Sequence, residues 1–160
     1  MRLLRSLFSA PLLAALITLA GCDGIATGEQ AGTIPLTANA TGGFESVAIQ
    51  LTPEMSPVAF NFRAEHSDDP AEVGKWNSYR ATLSRDGQSV ASGAFSVNHT
   101  GSPDAPAGAP YVVQNLFTVW PETTGVYTLE IAPAGPLEVT LTRAEIELRR
   151  NVRGDDNLRP

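Results

Sequence analysis

Apolar residues recur at every second position over much of this chain, and that period belongs to a pleated, half-buried strand rather than to a helix. The clearest run is Gly125-Val126-Tyr127-Thr128-Leu129-Glu130-Ile131, where Tyr127, Leu129 and Ile131 share one face. Val47, Ile49 and Leu51 repeat the pattern up to Thr52-Pro53, and Val58, Phe60, Phe62 and Ala64 repeat it after Pro57. In 76–84 the inward residues are Tyr79, Ala81 and Leu83. Arg85-Asp86-Gly87-Gln88 then predicts a hairpin, because Asp-Gly supplies the positive φ angles of a tight turn. The return strand, 89–98, turns Phe95 and Val97 inward, and Gly93 within it reads as a bulge.

A Pro- and Gly-rich loop is expected over 99–110, followed by a strand over 111–120 that ends at Pro121. The turn after Ile131 falls on 133–136, with a proline at each end. In the last strand Leu137, Val139 and Leu141 hold one parity, whereas Ala144, Ile146 and Leu148 hold the other. Side chains change faces only through an extra residue, so a bulge or sharp bend is expected near Thr142 or Arg143. No amphipathic helix follows the first 21 residues. The expected fold is all-β: an antiparallel two-sheet sandwich of about seven strands.

Two stretches carry resemblances. Arg2 and Arg5 precede a mostly apolar run over 7–19, too short and interrupted for a finished membrane span but suited to a signal peptide. Leu19-Ala20-Gly21-Cys22 closes that run and resembles the lipobox of bacterial lipoproteins. The resemblance implies that Cys22 receives a diacylglycerol, that the chain is cut before it, and that the new amine is acylated with a further chain such as palmitate. Two or three acyl chains anchor stably where one is marginal. In enteric bacteria an aspartate directly after the lipidated cysteine keeps a lipoprotein in the inner membrane. Asp23 stands there, so the periplasmic face of the inner membrane is expected over the outer membrane.

The second stretch, 116–129, resembles the passage into the tyrosine corner of immunoglobulin-like domains. Tyr127 matches the tyrosine whose hydroxyl bonds upstream backbone, and Leu129 stands where an antibody domain has its second cysteine. The Gly-x-Tyr-x-Leu-x-Ile string also resembles pre-peptidase and other jelly-roll accessory domains, so the sandwich is expected to be immunoglobulin-like or jelly-roll-like.

The resulting organisation is a signal peptide over 1–21, a lipidated cysteine and flexible tether over 22–43, a sandwich over 44–150 and a charged tail over 151–160. Ile34 and Leu36 offer the alternative that an edge strand ends the tether early. Cleavage before Cys22 removes two arginines and leaves 139 residues, with nine basic against 17 acidic and a net charge of −8. That balance excludes nucleic acid and a polybasic grip on anionic lipid. Cys22 is the one cysteine, so apolar burial and strand pairing alone hold the fold.

Chemistry is sparsely signalled. His66 and His99 sit in loop-like contexts with no Gly-x-Ser-x-Gly elbow, so no enzyme is expected and no cofactor implied. Glu65, Asp68, Asp69 and Glu72 crowd one loop and are the candidates for a Ca²⁺ site; a solvated acidic loop is preferred because no ligand spacing is present. Trp76, Tyr79, Tyr111 and Trp120 are the candidate stacking platforms for a glycan, with core or rim packing preferred. The basic run 149–153 reads as a solvated strand end, and the sequons at Asn39 and Asn98 as chance. The expected role is a lipid-anchored, non-catalytic binding module for an envelope protein or glycan. The alternative is a structural or assembly subunit of an envelope complex, and after it a Ca²⁺-binding or enzymatic domain.

Overall fold

The computed structural model describes residues 28–99 and 111–153. The signal segment, Cys22, Asp23, most of the 99–110 loop and residues 154–160 lie outside the described residues. Eight strands are described: β1 (Glu29–Pro35), β2 (Val47–Leu51), β3 (Val58–His66), β4 (Trp76–Arg85), β5 (Gln88–Asn98), β6 (Tyr111–Val119), β7 (Gly125–Leu137) and β8 (Leu141–Arg150). They form two antiparallel four-stranded sheets, β1-β8-β3-β6 and β2-β7-β4-β5. Short 3₁₀ turns at Pro53–Met55 and Pro70–Glu72 are the only helical pieces among the described residues.

The all-β sandwich is as expected, with one strand more. Its connectivity separates the two resemblances. First strand pairs with last, second with seventh, third with sixth and fourth with fifth, the nested pattern of an eight-stranded jelly roll and not the seven-stranded immunoglobulin order. Among the described residues the Tyr127 hydroxyl accordingly makes no upstream backbone bond. It accepts from Arg85 Nη1 at 3.4 Å, and the guanidinium lies 5.4 Å from the ring.

The alternating residues meet between the sheets. Leu51, Phe60, Phe62, Leu83, Leu129 and Ile146 are fully buried, and Phe62 packs 5.0 Å from Phe95 and 5.8 Å from Phe44 between ring centroids. The Asp86-Gly87 turn has φ of 51° and 77°, as a type I′ hairpin requires. The parity change in the last strand is resolved by a bulge. Glu65 faces Arg143 and His66 faces Leu141, so Thr142 is the extra residue.

Four expectations are corrected. Residues 29–43 are not all tether, because β1 pairs along β8 from Glu29↔Arg150 to Pro35↔Glu145 and Phe44 enters the core. The segment 133–136 is not the turn: β7 continues to Leu137, setting Ala134, Gly135 and Pro136 opposite the single residue Ser78, and the chain reverses at 138–140. Prolines are tolerated there because the ladder is already interrupted. The bulge in β5 falls on Val90, not Gly93. Gly93 instead marks a close approach, since a Cβ there would meet the Leu116 carbonyl oxygen of β6 at 2.8 Å. Finally, β3 is buried on both faces: Ala59 and Asn61, of the outward parity, are also buried.

Register defines two poles. Glu29, Arg150, Val58 and Val119 lie on one rung across the first sheet, and this is the β1 pole. The opposite pole holds His66 beside Leu141, the start of β4 and the 138–140 turn.

Candidate functional site

The opposite pole opens into a cleft of about 340 Å³ between the sheets. Leu36, Phe44, Leu137, Val139 and Leu141 form its apolar walls, and Asn77 and Tyr79 lie buried at its floor. One wall is the 38–44 loop, organised by Asn39. Its Oδ1 accepts from the Thr41 and Gly43 amides at 3.0 and 3.1 Å, and its Nδ2 donates to the Phe44 carbonyl at 2.9 Å. The opposite wall is the turn into β8, held by Asn77. Asn77 Oδ1 accepts from the Val139 amide at 2.8 Å and Nδ2 donates to the Val139 carbonyl at 2.7 Å, imitating a strand pair where the ladder is broken.

Tyr79 is only 3 % exposed, and its hydroxyl accepts from Asn77 Nδ2 at 3.2 Å. No acceptor for its own proton is found among the described residues, so the phenol retains one donor at the cleft floor. Burial raises the Tyr79 pKa, with the Asn77 hydrogen bond opposing, so the group is neutral and a donor near pH 7. Arg143 lines the rim but is already paired with Glu145 at 2.8 Å and Glu65 at 3.8 Å. The arrangement suits an uncharged apolar group carrying one hydrogen-bond acceptor.

Beside the cleft the acidic loop is knotted rather than open. Glu72 Oε2 accepts from the Thr140 amide at 2.9 Å and the Ser67 hydroxyl at 2.8 Å, while Oε1 accepts from the Thr140 hydroxyl at 2.7 Å. The Thr140 amide, then the two hydroxyls, hold the Glu72 carboxyl down at about 2. Asp69 caps the Pro70–Glu72 turn through the Ala71 amide at 2.8 Å, Glu65 pairs with Arg143, and Asp68 is exposed. These four carboxylates are therefore not brought together. Among the described residues no group of three or more His, Cys, Asp or Glu is placed to hold a metal ion.

His66 and His99, far apart in sequence, pack with tilted rings 4.4 Å apart between centroids. His66 Nδ1 and His99 Nε2 both reach the Ser67 carbonyl, at 2.8 and 2.9 Å, and since a carbonyl only accepts, each of these nitrogens carries a proton. The Ser67 hydroxyl points its hydrogen bond at Glu72, so no serine–histidine nucleophile is assembled there. No protein family matches the chain, and no curated protein matches it. The site is therefore read from its geometry.

The four aromatic candidates part company. Tyr79 is core, as preferred; Tyr111 is half-buried on the first sheet, 4.6 Å beneath the Arg63 guanidinium. Trp76 and Trp120 are corrections, being 43 % and 55 % exposed, because each sits at or just beyond the end of its strand. They stand at opposite poles and form no common platform. The basic run is absorbed by its neighbours: Arg149 pairs with Glu147 at 2.8 Å and Arg150 with Glu29 at 2.8 Å, while Val152 is buried. Sequence reasoning missed Asn77 and the 38–44 wall. Asn77 did leave a signal, a polar side chain at the inward parity of Tyr79, Ala81 and Leu83.

Proposed function

We propose that the chain is a lipid-anchored lipoprotein of the bacterial envelope whose sandwich is a non-catalytic binding module. The observation that carries this is Leu19-Ala20-Gly21-Cys22 after a cationic start and an apolar run. Cys22→Ser should leave unprocessed precursor that takes up no labelled palmitate, whereas equal labelling of both forms would remove the anchor from the reading. With Asp23 next to the cysteine, the anchor belongs to the periplasmic face of the inner membrane. Density-gradient separation of the membranes checks this, and Asp23→Ser should move the protein to the outer-membrane fraction.

The binding half of the reading is supported by the cleft. Its apolar walls and single spare phenolic proton fit a side chain of a protein partner better than a sugar, which would need several paired hydroxyls and an exposed aromatic face. The separation of Trp76 from Trp120 points the same way. A protein is therefore the favoured ligand class. Photo-crosslinking from Leu137, exposed at the cleft mouth, in living cells tests it: a discrete protein adduct supports the reading, and adducts confined to glycan oppose it.

A further inference from the structure

Because β1 begins at Glu29, only six Cα–Cα steps separate Cys22 from Gly28, and a chain of that length reaches at most about 22 Å. Gly28 is itself fixed to the domain, its carbonyl accepting from Arg149 Nη2 at 2.9 Å. Given the lipid on Cys22, on which this inference rests, the β1 pole cannot drift far from the headgroups. A tether of the length read from sequence would impose no such limit.

What stands at that pole matters accordingly. Val119 shares the rung of Glu29, and Trp120 is the next residue, about 15 Å from Glu29 across three strand spacings. Its indole is 55 % exposed and stacks on no aromatic ring among the described residues. Indoles favour the membrane–water interface, where the ring is apolar and the N–H finds headgroup acceptors. The charge at the pole is also permissive. Arg85, Arg149, Arg150 and Arg153 stand there with Glu29, Glu54, Asp86 and Glu122, a balanced set in a mature chain of net charge −8. Part of the acidic surplus lies elsewhere, with Asp68 and Asp69 at the cleft pole, where anionic lipid repels it.

We infer that the β1 pole lies against the bilayer, with the Trp120 indole seated at the headgroup–acyl boundary and the cleft held on the side away from the membrane. The molecule carries its own control, since its two tryptophans occupy opposite poles. The lipidated protein is reconstituted into phosphatidylcholine vesicles with and without bromine on the acyl chains. Trp76→Phe leaves Trp120 as the sole emitter, and Trp120→Phe leaves Trp76. Flotation with the vesicles is scored first. Floating protein whose Trp120 emission is quenched by bromine, with Trp76 emission unaffected, is the expected result. Floating protein with Trp120 unquenched overturns the orientation while leaving the anchor intact. Quenching of both tryptophans overturns it too, because the domain then has no fixed pole. Protein that fails to float removes the anchor, and the orientation with it.

Discussion

The two poles of this sandwich are closed by different means. At the β1 pole the chain turns on itself through backbone geometry: the Asp86-Gly87 hairpin, and main-chain bonds from Asn151 to the Met55 carbonyl at 3.0 Å and from Val152 to the Pro57 carbonyl at 3.3 Å. Its Arg150–Glu29 pair is exposed, and Arg149, paired with Glu147, ties the Gly28 carbonyl. At the cleft pole main-chain bonds, such as that from the Ser67 amide to the Thr140 carbonyl at 2.9 Å, are joined by several side chains that reach into backbone. Asn77 binds both polar groups of Val139, Glu72 binds Thr140 and Ser67, and two imidazoles share one carbonyl. A side-chain tie is lost with one substitution; a backbone turn is not. The cleft pole should therefore be the mutationally brittle one, and the pH-sensitive one.

The core between the poles sets the scale. Leu129→Ala, at a fully buried position of β7, should cost about 2–5 kcal/mol in chemical denaturation, as a cavity in a domain with no disulfide. Next comes Asn77→Ala, which strands the Val139 amide and carbonyl together. About 2–4 kcal/mol is expected, and a loss below about 0.5 kcal/mol would mean that the turn closes without it.

Glu72 makes the contrast a matter of acidity. Its folded-state pKa of about 2 lies below the ordinary value of 4.5, so its contribution is complete above 4.5 and drains away as pH falls toward 2. In Glu72→Gln that portion of the acid limb should flatten, with the unfolding midpoints of the two proteins converging at the acid end. An identical pH slope would show that the carboxylate is not the tie. The smallest effect belongs to the β1 pole. Arg150→Ala removes one exposed ion pair and should change stability by less than about 0.5 kcal/mol. A loss comparable to that of Asn77→Ala would erase the distinction between the poles.

Legibility in the sequence followed burial. Strands β2, β3 and β4 bury most of one face, β5 the end that carries Phe95 and Val97, and β7 the stretch from Tyr127 to Ile131, so their period survives in the residues, and the parity change in β8 located Thr142 within one position. Strand β1 was hard to see because it is an edge: only Gly32, Ile34 and the half-buried neighbour Leu36 approach the core, and the rest of it faces solvent. Pro133 and Pro136 were misread because a proline pair marks a turn and an interrupted strand equally well. The cleft was the least legible part. Phe44, Asn77, Leu137 and Leu141 come from four separate segments, and nothing local to any of them announces the others.

The nested strand order also bears on how such a chain reaches its destination. Only β4 and β5 are neighbours in sequence and in space, so the hairpin at Asp86-Gly87 is the one pairing that closes a short loop. Every further pair wraps the previous one, until Glu29 meets Arg150 across almost the whole described chain. Loop-closure entropy and high contact order make that last step slow. Under the proposed export, β1 is withheld while the start of the chain is engaged in a secretion channel, and β8 then lacks one of its two neighbours in the sheet. The topology thus postpones its own completion until both ends of the chain are free to meet, and pulse-labelled hydrogen exchange should find β1 amides the last to gain protection.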